Sequence, residues 1–514
     1  MARYRDSNTF QSKLVPIDFS RQITPGSFEH TICLLIDEHL DMSVFDTRYD
    51  NDEHGRPAYD PAMLLRVILS AYARGFTSSR QIEQLCRENV VFMALSGDSQ
   101  PHFTTIARFV ADMKDVIQPL FTEVLMVCDS QGLIGREMFA IDGCKLPSNA
   151  SKEWSGTHAE LTKKHKKIDR AVRRMLARHR EEDAGSQVNG DTRRAKEVQR
   201  VARLKEASAK IKKHLRTSTD RRGLSGNVVQ GNITDNDSAK MRTSHGTIQG
   251  YNGVAAVDDK HQVVVAAQAF GQGPENNLVA PMLSQISERL GEDYARQSKL
   301  TADSGFHSKA SIAHCEATGV DAYIADGNFR KRDPRFADKA RHHPKVRRSK
   351  YFAAREFSYD ATSQTCHCPA GKAMWKRCET EIDGKACVTF TGSLKDCRTC
   401  PLQRQCMRRP PAKSGRQVTL SKGLPTEANA IERMKRKIDS DHGRYLYEQR
   451  LGTVEPVFGN INTNKRLNRF SHRGSTKVNA QWLMFCLVHN VEKLQRYGQL
   501  HRTGKGSGER AEYL

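Results

Sequence analysis

The pattern of apolar residues changes at Arg136, and this change limits the folds open to the chain. Residues 1 to about 130 have the apolar spacing of helices. After Arg136 the first apolar strand, in MFAIDGCKL, ends in Asp142, and a later one, in KLTADSGFHS, ends in Asp303. The predicted order is a strand, an insertion, two strands, a helix, a strand, a helix and a fifth strand. This order predicts an α/β fold, with a mixed sheet covered by helices.

Positive charge dominates the chain. Its 514 residues include 82 Lys and Arg against 59 Asp and Glu, which gives a formal net charge of +23. A surplus of this size indicates a polyanionic partner, most often nucleic acid. The segment from Thr157 to Arg222 holds 21 of the basic and 9 of the acidic residues, with apolar residues at helical spacing. We expect an antiparallel hairpin of two long helices there, which acts either as a solvated spacer or as a phosphate-tracking arm.

Hydropathy argues against two classes of protein. No stretch approaches the ~18 to 20 uncharged apolar residues that a membrane span needs, and the first residues lack the apolar region of a secretory signal. We therefore expect neither a membrane protein nor a secreted one. The 13 cysteines are accordingly expected to be reduced, and clustered cysteines to bind metal rather than to form disulfides.

The same patterns predict how the chain is organised. The N-terminal helices, joined by short turns, fit a DNA-binding helical unit and also fit an ordinary helical bundle. Basic, irregular sequence and a cysteine-rich stretch interrupt the α/β part before helices return. The predicted parts are a helical N-terminal DNA-binding domain at 1–130, the first part of the α/β domain at 136–326 with the hairpin insertion at 157–222, a basic and cysteine-rich insertion at 327–425, the second part of the α/β domain at 426–497, and a disordered tail at 498–514.

Three acidic residues have positions suited to chemistry. Asp142 and Asp303 each follow an apolar strand, and ligands of α/β sheets bind at that edge. Glu455 lies at the border of the apolar face of a later helix, and Glu448, seven residues earlier, points the same way. Pro456 is expected to kink or break this helix. The apolar face, expected to be buried, consists of Tyr447, Leu451, Val454, Phe458 and Ile461.

Converging carboxylates form a hard-oxygen site for Mg²⁺ or Mn²⁺. Two such ions ~3.5 to 4 Å apart activate a water or a 3′-hydroxyl and stabilise the leaving oxygen of a phosphodiester. The alternative is that these acids cap helices and form salt bridges with the many basic residues of the chain.

Short sequences around these acids resemble a known family. FAIDG around Asp142, LTADSGF around Asp303 and Y-x2-R-x4-VEPVFGNI around Glu455 are similar to the DDE transposases of bacterial insertion sequences, and the similarity runs from about residue 20 to 497. It implies an RNase H-like catalytic domain, preceded by an all-α domain and carrying a cysteine-rich insertion before the glutamate helix. It also implies that Asp142, Asp303 and Glu455 are catalytic and bind two Mg²⁺ or Mn²⁺ ions.

The resemblance implies an enzyme that binds the ends of its insertion sequence, cleaves DNA with water as the nucleophile and then transfers the strand with a 3′-hydroxyl. Its partners would be double-stranded DNA, both transposon ends and target, and a second copy of the chain on that DNA. It would act in the bacterial cytoplasm. Two other functions stay open, namely an RNase H-like nuclease that cuts without joining, and a non-enzymatic, zinc-containing DNA-binding regulator.

Related enzymes share a Tyr–Arg–Glu–Lys signature. Tyr447 and Arg450 match its first two positions, although the interval from the arginine to the glutamate is one residue longer here. The position expected for the lysine holds Asn462, so Lys465 or Arg466 would take its role. The side chains expected to contact DNA near the cut are Lys145, Tyr447, Arg450, Lys465 and Arg466.

Seven of the thirteen cysteines fall between residues 366 and 406. Short Cys-x2-Cys spacings let two thiolates share one tetrahedral ion, and paired knuckles of this kind form structural zinc sites. Zinc would replace the core that so small an insertion lacks. The alternative is a loop of unligated thiols, and an Fe–S cluster is rarer still. The expected zinc ligands are Cys368, Cys397, Cys400 and Cys406, with Cys366 or His367 as substitutes.

Overall fold

The computed structural model describes residues 16–48, 57–184, 191–223, 226–336, 351–360, 363–382, 385–421 and 430–500. The chain divides into two compact units, the first made of Met1–Ala325 and Asp441–Leu514, the second of Asp326–Ser440. Residues 185–190, between the two predicted long helices, and residues 501–514 of the predicted C-terminal tail lie outside the described residues.

Helices make up much of the first unit. They are α1 (Phe28–Glu38), α2 (Pro61–Ala73), α3 (Ser79–Glu88), α4 (Val90–Ser96), α5 (Phe103–Asp112), α6 (Ile117–Ser130), α7 (His158–Ala184), α8 (Asp191–Thr217), α9 (Val279–Leu290), α10 (Glu292–Gln297), α11 (Lys309–Thr318), α16 (Asp441–Gly459) and α17 (Ser475–Tyr497). Helix α2 shows how the sequence sets such boundaries, because Asp60 caps its first turn and Pro61 occupies the first helical position. No helix in the described ranges is long and apolar enough to cross a membrane.

A six-stranded sheet lies among these helices. Its strands are β1 (Met138–Pro147), β6 (Ala239–Thr243), β7 (Gly246–Asp258), β8 (Val264–Phe270), β9 (Lys299–Ala302) and β10 (Asp321–Ile324). Strand β1 pairs antiparallel with β7 and parallel with β9, and β9 pairs parallel with β10. Both β6 and β8 pair antiparallel with β7. The predicted mixed α/β architecture is therefore confirmed.

The basic segment between β1 and β7 contains the two long helices α7 and α8, which run antiparallel. Ser208 Oγ donates to Asp169 Oδ1 at 2.6 Å, and Arg178 donates to Glu197 at 3.0 Å, so later residues of α7 face earlier residues of α8. Four two-residue strands lie before and after the hairpin in sequence, with β2 paired to β5 and β3 to β4. They are β2 (Ser155–Gly156), β3 (Arg221–Arg222), β4 (Val228–Val229) and β5 (Gly231–Asn232).

Helix α17 is buried along most of its length and packs against β8. The side-chain amide of Asn490 bonds both the N–H and the carbonyl of Val264, at 2.8 and 2.9 Å. Asn479 accepts a further bond from the N–H of Ala269. Among the described strands β8 pairs with β7 alone, so these two amides satisfy backbone groups on its other edge.

The second unit contains a five-stranded antiparallel sheet, where the sequence analysis predicts a cysteine-rich insertion and no strands. The strands, in spatial order, are β11 (Ser358–Asp360), β12 (Thr365–His367), β13 (Ala373–Ile382), β14 (Lys385–Gly392) and β15 (Gln417–Ser421). The helices are α12 (Phe329–Arg332), α13 (Leu394–Arg398), α14 (Gln403–Cys406) and α15 (Ala430–Asp439). A small apolar core lies on this sheet, formed by Phe357, Cys366, Met374, Val388, Phe390 and Val418. Arg332 pairs with both Asp326 and Asp439, so it joins the two ends of the unit.

Candidate active site

Asp142 and Asp303 come at the same level on neighbouring strands. Strands β1 and β9 run parallel with Ile141 opposite Ala302, and the next residue on each is an aspartate. Strand β1 does not end at Asp142, as the sequence pattern predicts, but continues beside β7 to Pro147. The two carboxylates therefore meet where β9 ends and β1 loses its parallel neighbour.

Arg450 of α16 is the principal partner of Asp142. Its Nη1 lies 2.6 Å from Asp142 Oδ2, and the two side chains are only 10% and 21% exposed. Burial raises the pKa of Asp142, the Arg450 guanidinium lowers it, and the nearby Asp303 carboxylate raises it, so that the net pKa lies above the usual value. The guanidinium carbon also lies 5.6 Å from the ring centre of Tyr447. The first two residues of the predicted signature are thus in contact beside Asp142.

Asp303 lies in a tight turn after β9. Its Oδ1 accepts a hydrogen bond from Gly305 N at 2.8 Å, and its carbonyl accepts one from Phe306 N at 3.2 Å. A Cβ at Gly305 would collide with the Glu275 carboxylate and would lie 3.0 Å from Asp303 Oδ1. The absence of a side chain at Gly305 therefore lets the carboxylates of Asp303 and Glu275 approach each other.

Glu275 is an acid that sequence reasoning missed. It lies in the loop between β8 and α9, with its side chain 10% exposed. Its Oε1 accepts from Asn252 Nδ2 at 2.9 Å and lies 3.5 Å from Lys145 Nζ. Burial raises the pKa of Glu275, Lys145 lowers it, and Asp303 and Asp142 raise it. The available signal was Asn252, a polar residue within an apolar strand, whose buried amide needs a partner.

Glu455 and its rival Glu448 are both exposed on α16. The predicted burial of Leu451 is wrong, since its side chain is 39% exposed. Helix α16 also continues through Pro456 without interruption, and it passes directly into the π-helical turn Asn460–Asn464. The role of Glu455 in catalysis stays a prediction. The buried face consists of Gly443, Leu446, Arg450, Thr453, Val454, Val457 and Phe458.

Lys465 is fully buried, unlike the DNA contact that the sequence predicts. Its Nζ lies 2.6 Å from Glu492 Oε2, and burial lowers the pKa of the ammonium group. A buried and paired ammonium offers no donor to a phosphate, so the structure argues against this role for Lys465. Arg466 is exposed, adopts a positive φ of 57° and lies beside Gly75. Its contact with DNA stays a prediction.

Asp142 and Glu275 are paired with basic side chains, Arg450 and Lys145, rather than arranged around an ion. In the part of the chain that the structure describes, no three His, Cys, Asp or Glu side chains have the spacing to hold a metal. Two features nevertheless suit a cation. The carboxylate oxygens are the ligands that Mg²⁺ and Mn²⁺ prefer, and Asn252 Oδ1 is buried with no hydrogen-bond partner.

In the second unit, one cavity is lined by all four predicted zinc ligands, Cys368, Cys397, Cys400 and Cys406. Burial raises the pKa of the Cys406 thiol, and the other three thiols lie near enough to raise it further. Cys397 Sγ accepts a bond from Arg416 N at 3.4 Å, and a Cβ at Gly392 would lie 3.1 Å from the same sulfur. The fold thus gathers the four thiols, although not at metal-ligand spacing.

Two parts of the chain match models of protein families. Residues 17–112 match the model described as transposase domain (DUF772), and residues 367–495 match the one described as transposase DDE domain. No curated protein is significantly similar to the chain. The second match includes β13 to β15 of the cysteine-rich sheet and the helix that carries Glu455, whereas Asp142 and Asp303 precede it.

Proposed function

We propose that this chain, an insertion-sequence DDE transposase, binds the ends of its element and performs DNA strand cleavage and strand transfer there. The matched families make it a nucleic-acid-processing enzyme with DNA as the substrate. The observation that carries the proposal is that Asp142 and Asp303 follow paired residues on adjacent parallel strands. Arg450, from a helix far away in sequence, forms an ion pair with Asp142. This arrangement offers negative charge for metal ions and positive charge for a phosphate.

The sheet supports an RNase H-like catalytic domain. Three antiparallel strands, β8, β7 and β1, continue into the two parallel strands β9 and β10. The α7–α8 hairpin lies between β1 and β7 in sequence, and the β11–β15 sheet precedes α16 in sequence. We therefore assign both as insertions in the catalytic domain, with α1 to α6 as the N-terminal DNA-binding domain.

The proposed cofactors are two Mg²⁺ or Mn²⁺ ions. Asp142 and Asp303 would hold them, together with Glu455, which the family resemblance implies. The fit rests on the oxygen donors of the site and on the buried, unpartnered Asn252 Oδ1. When bound, such ions activate the attacking water or 3′-hydroxyl and stabilise the leaving oxygen of the phosphodiester.

The basic side chains around the acids would bind and orient the phosphate backbone. Arg450 is held by Asp142 and by the ring of Tyr447, so its guanidinium is already positioned beside the site. Lys145 adds a second, partly exposed cation on β1. Arg466 is exposed, unlike the buried Lys465, so its guanidinium can reach a phosphate. Phosphate contacts of this kind give affinity and register rather than sequence specificity.

The basic α7–α8 hairpin would extend phosphate binding away from the cut. Because the two ends of an element must be cut in concert, we propose a homodimer on DNA. As for other enzymes of bacterial insertion sequences, the proposed place of action is the bacterial cytoplasm.

A structural Zn²⁺ ion in the second unit is part of the proposal. Four thiols that line one cavity, one of which accepts a backbone N–H, match the chemistry of a zinc site with four cysteine ligands. Metal analysis of the reduced, purified protein should find zinc, and Cys400→Ser should lose it. Cys378 is exposed and does not line the cavity, so Cys378→Ser is the matched control. Wild-type protein without zinc would contradict this part of the proposal.

The decisive experiment incubates the protein with DNA that carries the inverted repeats flanking its own locus, with and without Mn²⁺. Asp142→Asn should abolish cleavage and leave binding to the ends largely intact, because only the acid is lost. Glu292→Gln, at an exposed surface ion pair, should cleave as the wild type does.

Transfer of the cleaved strand into target DNA distinguishes a transposase from a nuclease that only cuts. DNA binding that is insensitive to metal and yields no product would indicate a regulator. Full cleavage by Asp142→Asn would remove this residue from the active site.

A further inference from the structure

Glu275 occupies an unusual electrostatic position. Its carboxylate is nine-tenths buried and lies close enough to Asp142 and Asp303 for both to raise its pKa. Burial of a carboxylate beside two others is unfavourable unless a positive charge compensates it. Lys145 forms an ion pair with Glu275 at 3.5 Å, and its side chain is 29% exposed, so this compensation is partly open to solvent.

Two glycines make room for Glu275 and for its partner Asn252. Gly305 stands where any Cβ would collide with the Glu275 carboxylate, and a Cβ at Gly143 would lie 2.8 Å from Asn252 Oδ1. Gly305 therefore keeps the space between the Asp303 and Glu275 carboxylates clear of a side chain, and Gly143 makes room for the Asn252 amide.

Asn252 supplies an independent indication of a ligand. Its side chain is fully buried, and its Nδ2 donates to Glu275. Its Oδ1 is equally buried, has no hydrogen-bond partner and lies next to Gly143, beside Asp142. An unmet buried acceptor costs roughly 1–3 kcal/mol, so an asparagine is poorly explained here if its only task is to hold Glu275. A cation between the acids would satisfy this oxygen.

A purely structural role for Glu275 explains less. A loop anchored by Asn252 and Lys145 would need neither the proximity of two further carboxylates nor the unpaired amide oxygen. Glu455, by contrast, is exposed on α16. No three acids stand at metal-binding spacing in the described residues, Glu275 and the two aspartates included. Glu275 is nevertheless buried, and a Cβ at Gly305 would enter the space between its carboxylate and that of Asp303.

We propose that Glu275 is a divalent-cation ligand of the Asp142–Asp303 site, with Asn252 Oδ1 as a neutral oxygen facing the same ion. The proposal rests on the function proposed above, and it adds an acid from the loop between β8 and α9 to those carried by the strands. For the ion to bind, the Lys145 ammonium gives up its contact with Glu275 and becomes available to a DNA phosphate.

The test measures Mn²⁺ binding to the DNA-free, full-length protein by titration calorimetry and by electron paramagnetic resonance. Glu275→Gln preserves the acceptor for Asn252 Nδ2 but removes the charge, and it should weaken Mn²⁺ binding about tenfold or more. Glu288→Gln, in the helix that follows the loop, should bind Mn²⁺ as the wild type does. Thermal unfolding without Mn²⁺ checks that each variant is folded.

Gly305→Ala tests the same geometry without removing an acid. Its Cβ would displace the Glu275 carboxylate, so Mn²⁺ affinity should fall although all carboxylates remain. Gly452→Ala, where nothing lies within 4 Å of the added Cβ, is the matched control. If Glu275→Gln fails to fold, the Gly305→Ala result decides the question.

The two proposals fail in different ways. Unchanged Mn²⁺ affinity in Glu275→Gln and Gly305→Ala, alongside loss of affinity in Asp142→Asn, would overturn the role of Glu275 and leave the transposase function standing. Wild-type protein that binds no Mn²⁺ at millimolar concentration would also overturn the role of Glu275. Cleavage of element ends by Asp142→Asn would instead contradict the proposed function.

Discussion

Replacing Lys465 by methionine separates a structural role from a DNA contact. The Lys465 side chain is fully buried with its Nζ 2.6 Å from Glu492 Oε2. Methionine has a similar length and an apolar end, so Lys465→Met removes the charge and leaves little space empty. Asn460 Nδ2 still donates to the same Glu492 oxygen at 2.7 Å. The perturbation therefore isolates the ion pair.

The expected loss of stability follows from the exposure of the two partners. Removing one partner from a fully buried pair destabilises a protein by about 3–5 kcal/mol. The Glu492 side chain is 27% exposed and keeps one donor, so water can replace part of the lost interaction. We therefore expect the free energy of unfolding of the first unit to fall by about 2–3 kcal/mol, which corresponds to roughly 3 °C in the melting temperature of a unit of this size.

Differential scanning fluorimetry and DNA-binding titrations over a range of salt concentrations measure the two effects separately. Lys465→Met should melt earlier and, below its melting temperature, bind DNA with the salt dependence of the wild type. Lys309→Met, at an exposed lysine of α11, is the control for loss of one positive charge. An unchanged melting temperature together with a weaker salt dependence would refute the argument from burial and restore Lys465 as a phosphate contact.

Two further predictions concern buried groups of the first unit. Burial lowers the pKa of His489 to about 3. Below pH of about 6.5 the unfolded chain therefore takes up a proton that the folded chain does not. Each unit of decrease in pH then lowers the free energy of unfolding by up to roughly 1.4 kcal/mol. His489→Gln should reduce the difference in denaturant-induced unfolding between pH 7 and pH 5, and an unchanged difference would contradict the assignment. Asp258→Ala should destabilise the fold by about 3 kcal/mol or more in the same unfolding assay, because the fully buried carboxylate accepts four hydrogen bonds. Stability equal to that of the wild type would show that water replaces the carboxylate. The four donors are Gly135 N, Arg136 N, Lys260 N and Tyr294 Oη.

The aspartate pair was predictable because strand ends are visible in the sequence. Apolar runs that stop at an acid place Asp142 and Asp303 at the same edge once the strands are parallel neighbours. Glu275 was not predictable in this way. The apolar spacing of PENNLVAPMLSQISERLG, residues 274–291, predicts a helix that already includes Glu275. The helix instead begins at Val279 and leaves Glu275 in the preceding loop. Only the partner on another strand, Asn252, shows that Glu275 turns inward.

The orientation of α16 was predicted incorrectly for an electrostatic reason. A helical wheel that counts only apolar residues places Leu451 on the buried face and treats Arg450 as solvated. The ion pair with Asp142 instead draws Arg450 to the buried face and leaves Leu451 39% exposed. A long-range pair between residues far apart in sequence cannot be read from the periodicity of one helix.

The sheet of the second unit escaped prediction because its strands carry many polar residues. Strand β13 reads AMWKRCETEI, with an exposed Trp375 and charged residues on much of its length. The core that packs on this sheet has only six buried residues. Pairing with β12 and β14, rather than the hydrophobicity of the strand, explains why this segment is extended.

The amides of α17 have a consequence for how copies of the chain can meet. A strand whose outer N–H and C=O groups are unbonded can recruit an extended segment from another molecule, and sheets then grow from one protein into the next. On β8 that route is closed, since Asn490 and Asn479 already hold the groups that an incoming strand would use. Partners assembled on DNA therefore cannot join by continuing the sheet past β8.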